Sequence, residues 1–179
     1  VLYTAPASGT VANINRGARR VLQSVVIDVK GDDAVEFKCY KPEEIPGLNA
    51  ASIIETLAES GQWSAFRTRP YSKVPATNTT ASAIFVNAMD TNPLAADPKV
   101  VIASQAEAFS LGLMLLTKLT EGDVYVCKAV DADLSVPNNP KIKVETFAGL
   151  HPAGNSGTHI HYLAPVSVNN VVWTIGYQD

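Results

Sequence analysis

A run of alternating elements from Ala83 onward constrains the fold most. Ala83-Ile-Phe-Val is a strand pattern reaching to about Ala88, followed at once by Asn87-Ala-Met-Asp-Thr-Asn-Pro. A helical pattern opens at Ser104-Gln-Ala-Glu107, read as a capping box, and runs to about Leu119 before Gly122. Val124-Tyr-Val-Cys reads as the next strand, and Ile142 to Phe147 as another beyond the Pro137-Asn-Asn-Pro140 loop. The turn Gly149 to Gly157 leads to a short helix at Thr158 to Leu163, and a last strand spans Val171 to Ile175. Parallel neighbours cannot be joined by a tight turn, so this rhythm implies a parallel sheet with crossover helices, an α/β fold.

The preceding third has a different character. Val11-Ala-Asn-Ile-Asn, a turn at Arg16-Gly-Ala and Val21 to Val29 read as a small antiparallel unit. Gly31-Asp-Asp closes it, and Val35-Glu-Phe reads as resumed extended chain. Lys41-Pro-Glu-Glu-Ile-Pro-Gly has a linker's composition. A helix capped at Asn49 or Ser52 runs to about Ser60, with Ser52-Ile-Ile-Glu55 as a capping box and Gly61 as its stop. The expected organisation is a β unit over 1–38, a linker and helix over 39–60, and an α/β domain over 61–179.

Hydrophobic residues make up 46% and charged residues 17% of the 179, a globular composition with material for a core. The net charge of −3 argues against nucleic acid, whose binding depends on a cationic field. No apolar run reaches the roughly 18 residues of a membrane helix. The most apolar stretch, Phe109 to Leu116, is interrupted by Ser110 and Gly112. Cys39 and Cys127 lack metal-site spacing and read as reduced thiols. The chain starts in extended-looking sequence without Met and stops within a strand, which reads as a piece of a larger subunit.

Three groups of residues carry candidate chemistry. Phe66, Arg67, Arg69, Tyr71 and Lys73 interleave rings and cations in a stretch from Gln62 to Asn87 that has no Gly. A phosphate-wrapping loop needs close backbone N–H groups and therefore Gly. These side chains instead suit a flat ring with carbonyl acceptors, such as a quinone, or acidic groups on a neighbouring subunit. Asn87, Asp90 and Asn92 follow a strand end, where they form an Asx turn or line a cleft. Gly154 and Gly157 precede a helix, in a turn of the kind that receives phosphate. His159 and His161 share a face only on a strand; on a helix they diverge by about 200° and make a poor metal pair. No nucleophile elbow, phosphate-loop motif or paired-carboxylate motif is present.

Several long runs carry a family resemblance. They are Pro6-Ala-Ser-Gly-Thr-Val, Asn15 to Ile27, Arg67-Thr-Arg-Pro-Tyr-Ser-Lys-Val-Pro, Ala88 to Ala96, Val124-Tyr-Val-Cys-Lys and His151-Pro-Ala-Gly. Over essentially its whole length the chain resembles the alpha subunit of the bacterial Na+-translocating NADH:quinone oxidoreductases (Na+-NQR). The resemblance implies part of a biotinyl/lipoyl-like barrel-sandwich unit, then a Rossmann-like domain similar to the flavin-binding subunit of respiratory complex I. In those flavin-binding relatives a glycine-rich loop, an Asn-Ala-Asp-Glu-x-Glu-Pro turn and a Gly-Glu-Glu turn hold FMN. Here the first maps onto Gln62 to Lys73 without its glycines. The second keeps Asn87, Ala88 and Pro93 but has Asn92 where an acid belongs, and the third maps onto Gly154 to Thr158 without its acids. The implied subunit is peripheral, on the cytoplasmic side of the bacterial inner membrane, and binds no cofactor itself. It contributes to ubiquinone binding and to docking on the membrane-embedded subunits. NADH, flavins, a 2Fe-2S centre and Na+ are used by the whole complex. A vestigial cleft in a purely structural module, or residual FMN binding, are the alternatives.

Overall fold

The computed structural model describes residues 3–179. Strands β1 (Gly9–Arg16) and β2 (Leu22–Val29) form an antiparallel hairpin. A Cβ on Gly9 would lie 2.1 Å from the Asp28 carbonyl oxygen, so the paired backbones leave room for glycine alone. The hairpin's apolar residues, among them Val11, Ile14, Val25 and Val29, stay exposed. Val35-Glu-Phe forms no strand, contrary to the sequence reading.

The Lys41–Gly47 segment is ordered rather than a plain linker. Pro42–Gly47 forms a 3-10 helix in which Lys41 N–H donates to Glu44 Oε2 at 2.7 Å, and Ile45 is buried. Helix α1 (Ala50–Glu59) follows. Of the two expected caps it uses Asn49, whose Oδ1 accepts from Ser52 N–H at 2.8 Å. That cap consumes the donor that a Ser52 box would leave free. Gly61, at φ +80°, is the left-handed stop.

The main sheet has the order β3-β7-β4-β5-β6. Its members are β3 (Arg67–Arg69), β4 (Ile84–Ala88), β5 (Val124–Ala129), β6 (Ile142–Phe147) and β7 (Val172–Gly176). β7, β4, β5 and β6 are parallel. β3 is an antiparallel edge strand on β7, within a stretch the sequence presents as loop. Its alternation of long polar residues with one Thr carries no apolar period, so pattern alone misses it.

Two helices connect β4 and β5 where one was expected. Helix α2 (Pro98–Ser104) is capped by Asp97, whose side chain accepts from Lys99 N–H, and has Pro98 in its first turn. Ser104 closes α2, with its hydroxyl donating to Val101 O at 2.7 Å, and is not the cap of the next helix. Helix α3 (Ala106–Leu116) starts afresh from Gln105 and ends before Leu119. The two axes meet at 94°. Helix α4 (Ser156–Leu163) returns the chain from β6 to β7.

The β4 alternation divides the core. Ile84, Val86 and Ala88 face Ile53, Leu113, Leu116 and Trp173 in the larger cluster; Ala83 and Phe85 join Cys127, Ile160 and Val172 in the other. The chain leaves β4 toward one side of the sheet and enters β7 on the other. The crevice at their carboxyl ends is thus a topological switch point, where open α/β sheets place ligands.

Candidate functional site

At that crevice the loop after β4 meets the turn before α4. Asn87, Asp90, Asn92 and the Gly154–Gly157 turn line a polar cleft of about 460 Å³, with Arg69 on its wall. The two loops bind each other. Asn87 Nδ2 donates to Gly154 O at 2.9 Å, and Gly154 N–H donates to Thr91 Oγ1 at 2.9 Å. A Cβ on Gly154 would come within 2.7 Å of Thr91 N, so this contact demands glycine. Asp90 Oδ1 accepts from both Asn92 N–H and Asn92 Nδ2, making the Asx turn expected for this sequence. Gly157 lies in the first turn of α4, which begins two residues earlier than its sequence pattern suggests.

The five cationic and aromatic candidates do not gather. Phe66 is a core residue, 1% exposed, with its ring 5.1 Å from Trp63 and 5.7 Å from Trp173. Arg67 folds back onto the backbone, its Nη1 donating to Ser64 O and, at 2.8 Å, to Phe66 O. Arg69 turns to the polar cleft, and its Nε is buried with no hydrogen-bond partner among the described residues. Tyr71 and Lys73 are exposed on the turn beyond β3. That turn is held by Thr68 N–H to Lys73 O at 2.7 Å and Ser72 N–H to Thr68 O at 2.9 Å.

His159 and His161 lie two residues apart on α4 and point apart. His159 is 1% exposed, its Nε2 donating to Ala153 O at 2.8 Å and its ring 4.2 Å from Phe147. Burial lowers its pKa, with the Ala153 carbonyl opposing in part. His161 is exposed, edge-on to Tyr162. Among the described residues no group of three His, Cys, Asp or Glu can hold a metal ion.

A second hollow lies on the opposite face of the sheet, and the sequence reading did not anticipate it. It is an apolar cavity of about 260 Å³ between α1, the α2–α3 elbow and the carboxyl end of β7. Phe66 forms part of its wall, together with Leu57, Ile102, Phe109, Leu116 and Ile175. The signal was present in α3. Phe109-Ser-Leu-Gly-Leu-Met-Leu-Leu is apolar nearly all round, which marks a buried helix, yet Gly112 leaves a gap in it.

No helix among the described residues is long and apolar enough to cross a membrane; α2 and α3 approach that length only as a bent pair.

Comparison with known proteins agrees with this architecture. The family model described as the NqrA second alpha/beta domain matches residues 48–179, and that of the NqrA N-terminal barrel-sandwich hybrid domain matches residues 1–30. The chain is 56% identical over 179 residues to a protein of Saccharophagus degradans and 57% identical to one of Cellvibrio japonicus. It is 53% identical to one of Pasteurella multocida. Each is named as the NqrA subunit of a Na(+)-translocating NADH-quinone reductase, and in each the match covers 100% of this chain and 40% of the relative. With a hairpin in the barrel-sandwich segment and a doubly wound sheet behind it, the chain belongs to the NqrA family of the Na(+)-translocating NADH-quinone reductases.

Proposed function

We propose that this chain acts within a Na+-translocating NADH-quinone reductase as a peripheral, cofactor-free subunit that helps to shape the quinone site and to assemble the complex. The relatives carry that enzyme's name, and the chain spans 40% of their length. The observation that carries the cofactor-free part is the closed switch point. The amide of Gly154, which a phosphate would require, already donates to Thr91, and Asn87 holds the same turn from the other side. A flavin phosphate entering there must break both bonds and displace a buried glycine. NADH, flavin, 2Fe-2S and Na+ chemistry then belongs to other subunits on the cytoplasmic side of, or within, the bacterial inner membrane.

Phe66, Arg67, Arg69, Tyr71 and Lys73 remain the candidates for quinone contact. A purely structural assembly role is the second reading. It is favoured by Leu94 and Val100, large apolar side chains left exposed before and on α2, where a partner subunit would cover them. The test is a titration of the full-length subunit with a short-tailed quinone, alongside its visible absorption spectrum. Saturable binding by a colourless protein is expected. A stoichiometric flavin band overturns the cofactor-free reading, and absence of saturable binding leaves the assembly role in its place.

A further inference from the structure

We infer that the apolar cavity beneath the α2–α3 elbow is the seat of the quinone head group, rather than the loop beyond β3. The inference rests on the reading above that this subunit contacts quinone. Drug-sized ligands occupy about 300–1,000 Å³. A cavity of about 260 Å³ suits a single substituted ring and excludes a dinucleotide or a flavin nucleotide.

The lining chemistry narrows the class of ligand. Its walls are aliphatic and aromatic: Leu57, Phe66, Ile102, Phe109, Leu116 and Ile175. Asp179 is the sole charged residue among the lining side chains, so the cavity offers no cation to a phosphate or carboxylate. Gln62, Gln105 and Gln178 also line it, and all three are exposed at its rim. Gln105 engages its neighbours through its backbone, N–H to Ile102 O at 3.0 Å and carbonyl from Phe109 N–H at 2.9 Å. Its carboxamide is left able to donate outward. Amide donors around an apolar slot match a neutral ring bearing carbonyl acceptors. A quinone is that molecule in the reaction named for the relatives.

Gly112 supplies the test. It lines the cavity from the middle of α3, and a Cβ there would meet nothing within 4 Å. Gly112→Leu therefore fills the space without a clash, and it replaces a poor helix former by a good one. The experiment is photolabelling, with a short-tailed azidoquinone, of both the assembled complex and the full-length subunit, followed by mapping of the adducts. Adducts on α3 and around Tyr177, reduced about tenfold by Gly112→Leu in a protein whose melting temperature is maintained or raised, are expected. Gly112→Ala is the control, because it improves the helix but fills little of the cavity. Adducts confined to Arg67–Lys73 and unaffected by Gly112→Leu overturn the inference while leaving the quinone reading intact. No adduct anywhere on the subunit overturns both. Loss of assembly by Gly112→Leu with undiminished labelling also overturns it, and identifies the cavity as the seat of a partner's side chain.

Discussion

His159 shows how one buried polar atom ties stability to pH. Its Nε2 is spent on Ala153 O, which fixes the tautomer and leaves Nδ1 bare, buried and without a partner among the described residues. Protonating Nδ1 would place a charge beside Phe147 with nothing to compensate it, so the folded-state pKa is depressed by burial. An unfolded histidine titrates near 6.5. Above that value both states are neutral and the full stability is present. As pH falls below it, the unfolded chain takes up a proton that the fold refuses, and stability drops until the depressed folded pKa is reached. The urea midpoint should therefore fall on acidification below about pH 6.5. His159→Gln, which retains a donor toward Ala153 O, should lose that part of the slope. An unchanged slope in the variant would assign the acid sensitivity elsewhere.

The short pieces around β3 rely on tertiary contacts more than on their own sequence. Three residues make a strand too short to persist alone. What holds it is Trp63, in the 3-10 turn just before β3, with its indole edge-on to Trp173 of β7 at 5.5 Å and its Nε1–H donating to Pro75 O at 2.8 Å. One side chain thus clamps the turn, the edge strand and the segment beyond it. Trp63→Ala should cost about 3–5 kcal/mol, and Trp63→Phe, which keeps a ring but loses the hydrogen bond, distinctly less. Denaturant titration of the two variants measures the difference; equal costs would show that the hydrogen bond, not the ring, is the clamp. The same dependence explains what the sequence could and could not reveal. β4 and β5 were legible because both faces are buried and their residues form short apolar runs. α1 was legible from its Asn49 cap. β3 was not, because its pairing is decided by β7 more than a hundred residues away, and α2 was hidden by Asp97-Pro98 reading as loop punctuation. The polar cleft was partly legible, since Asn87, Asp90, Asn92, Gly154 and Gly157 do converge. The dispersal of Phe66, Arg67, Arg69 and Tyr71 was not, because spacing of two does not reveal which faces a core.

Stability is distributed unevenly along the chain. The β1–β2 hairpin leaves its apolar residues exposed, and a two-stranded ribbon of this kind is marginal by itself in water. The five-stranded sheet, by contrast, is covered on both faces, with Cys127 of β5 completely buried among Phe85, Ile160 and Val172. Burial, with Glu145 nearby adding repulsion, pushes the Cys127 thiol up to about 12, so at neutral pH it is neither ionised nor accessible. Cys39 lies exposed in the segment between the hairpin and the sheet domain. The two thiols therefore separate local from global opening. A thiol reagent at neutral pH should titrate one group rapidly in the native 179-residue chain and two in denaturant, and Cys39→Ser should abolish the rapid phase. Under native conditions Cys127 should react only through opening of the sheet, at a rate that rises with denaturant as strongly as global unfolding does. A Cys127 rate independent of denaturant would mean instead that α4 lifts from the sheet by itself, exposing β5 while the rest of the core stays closed.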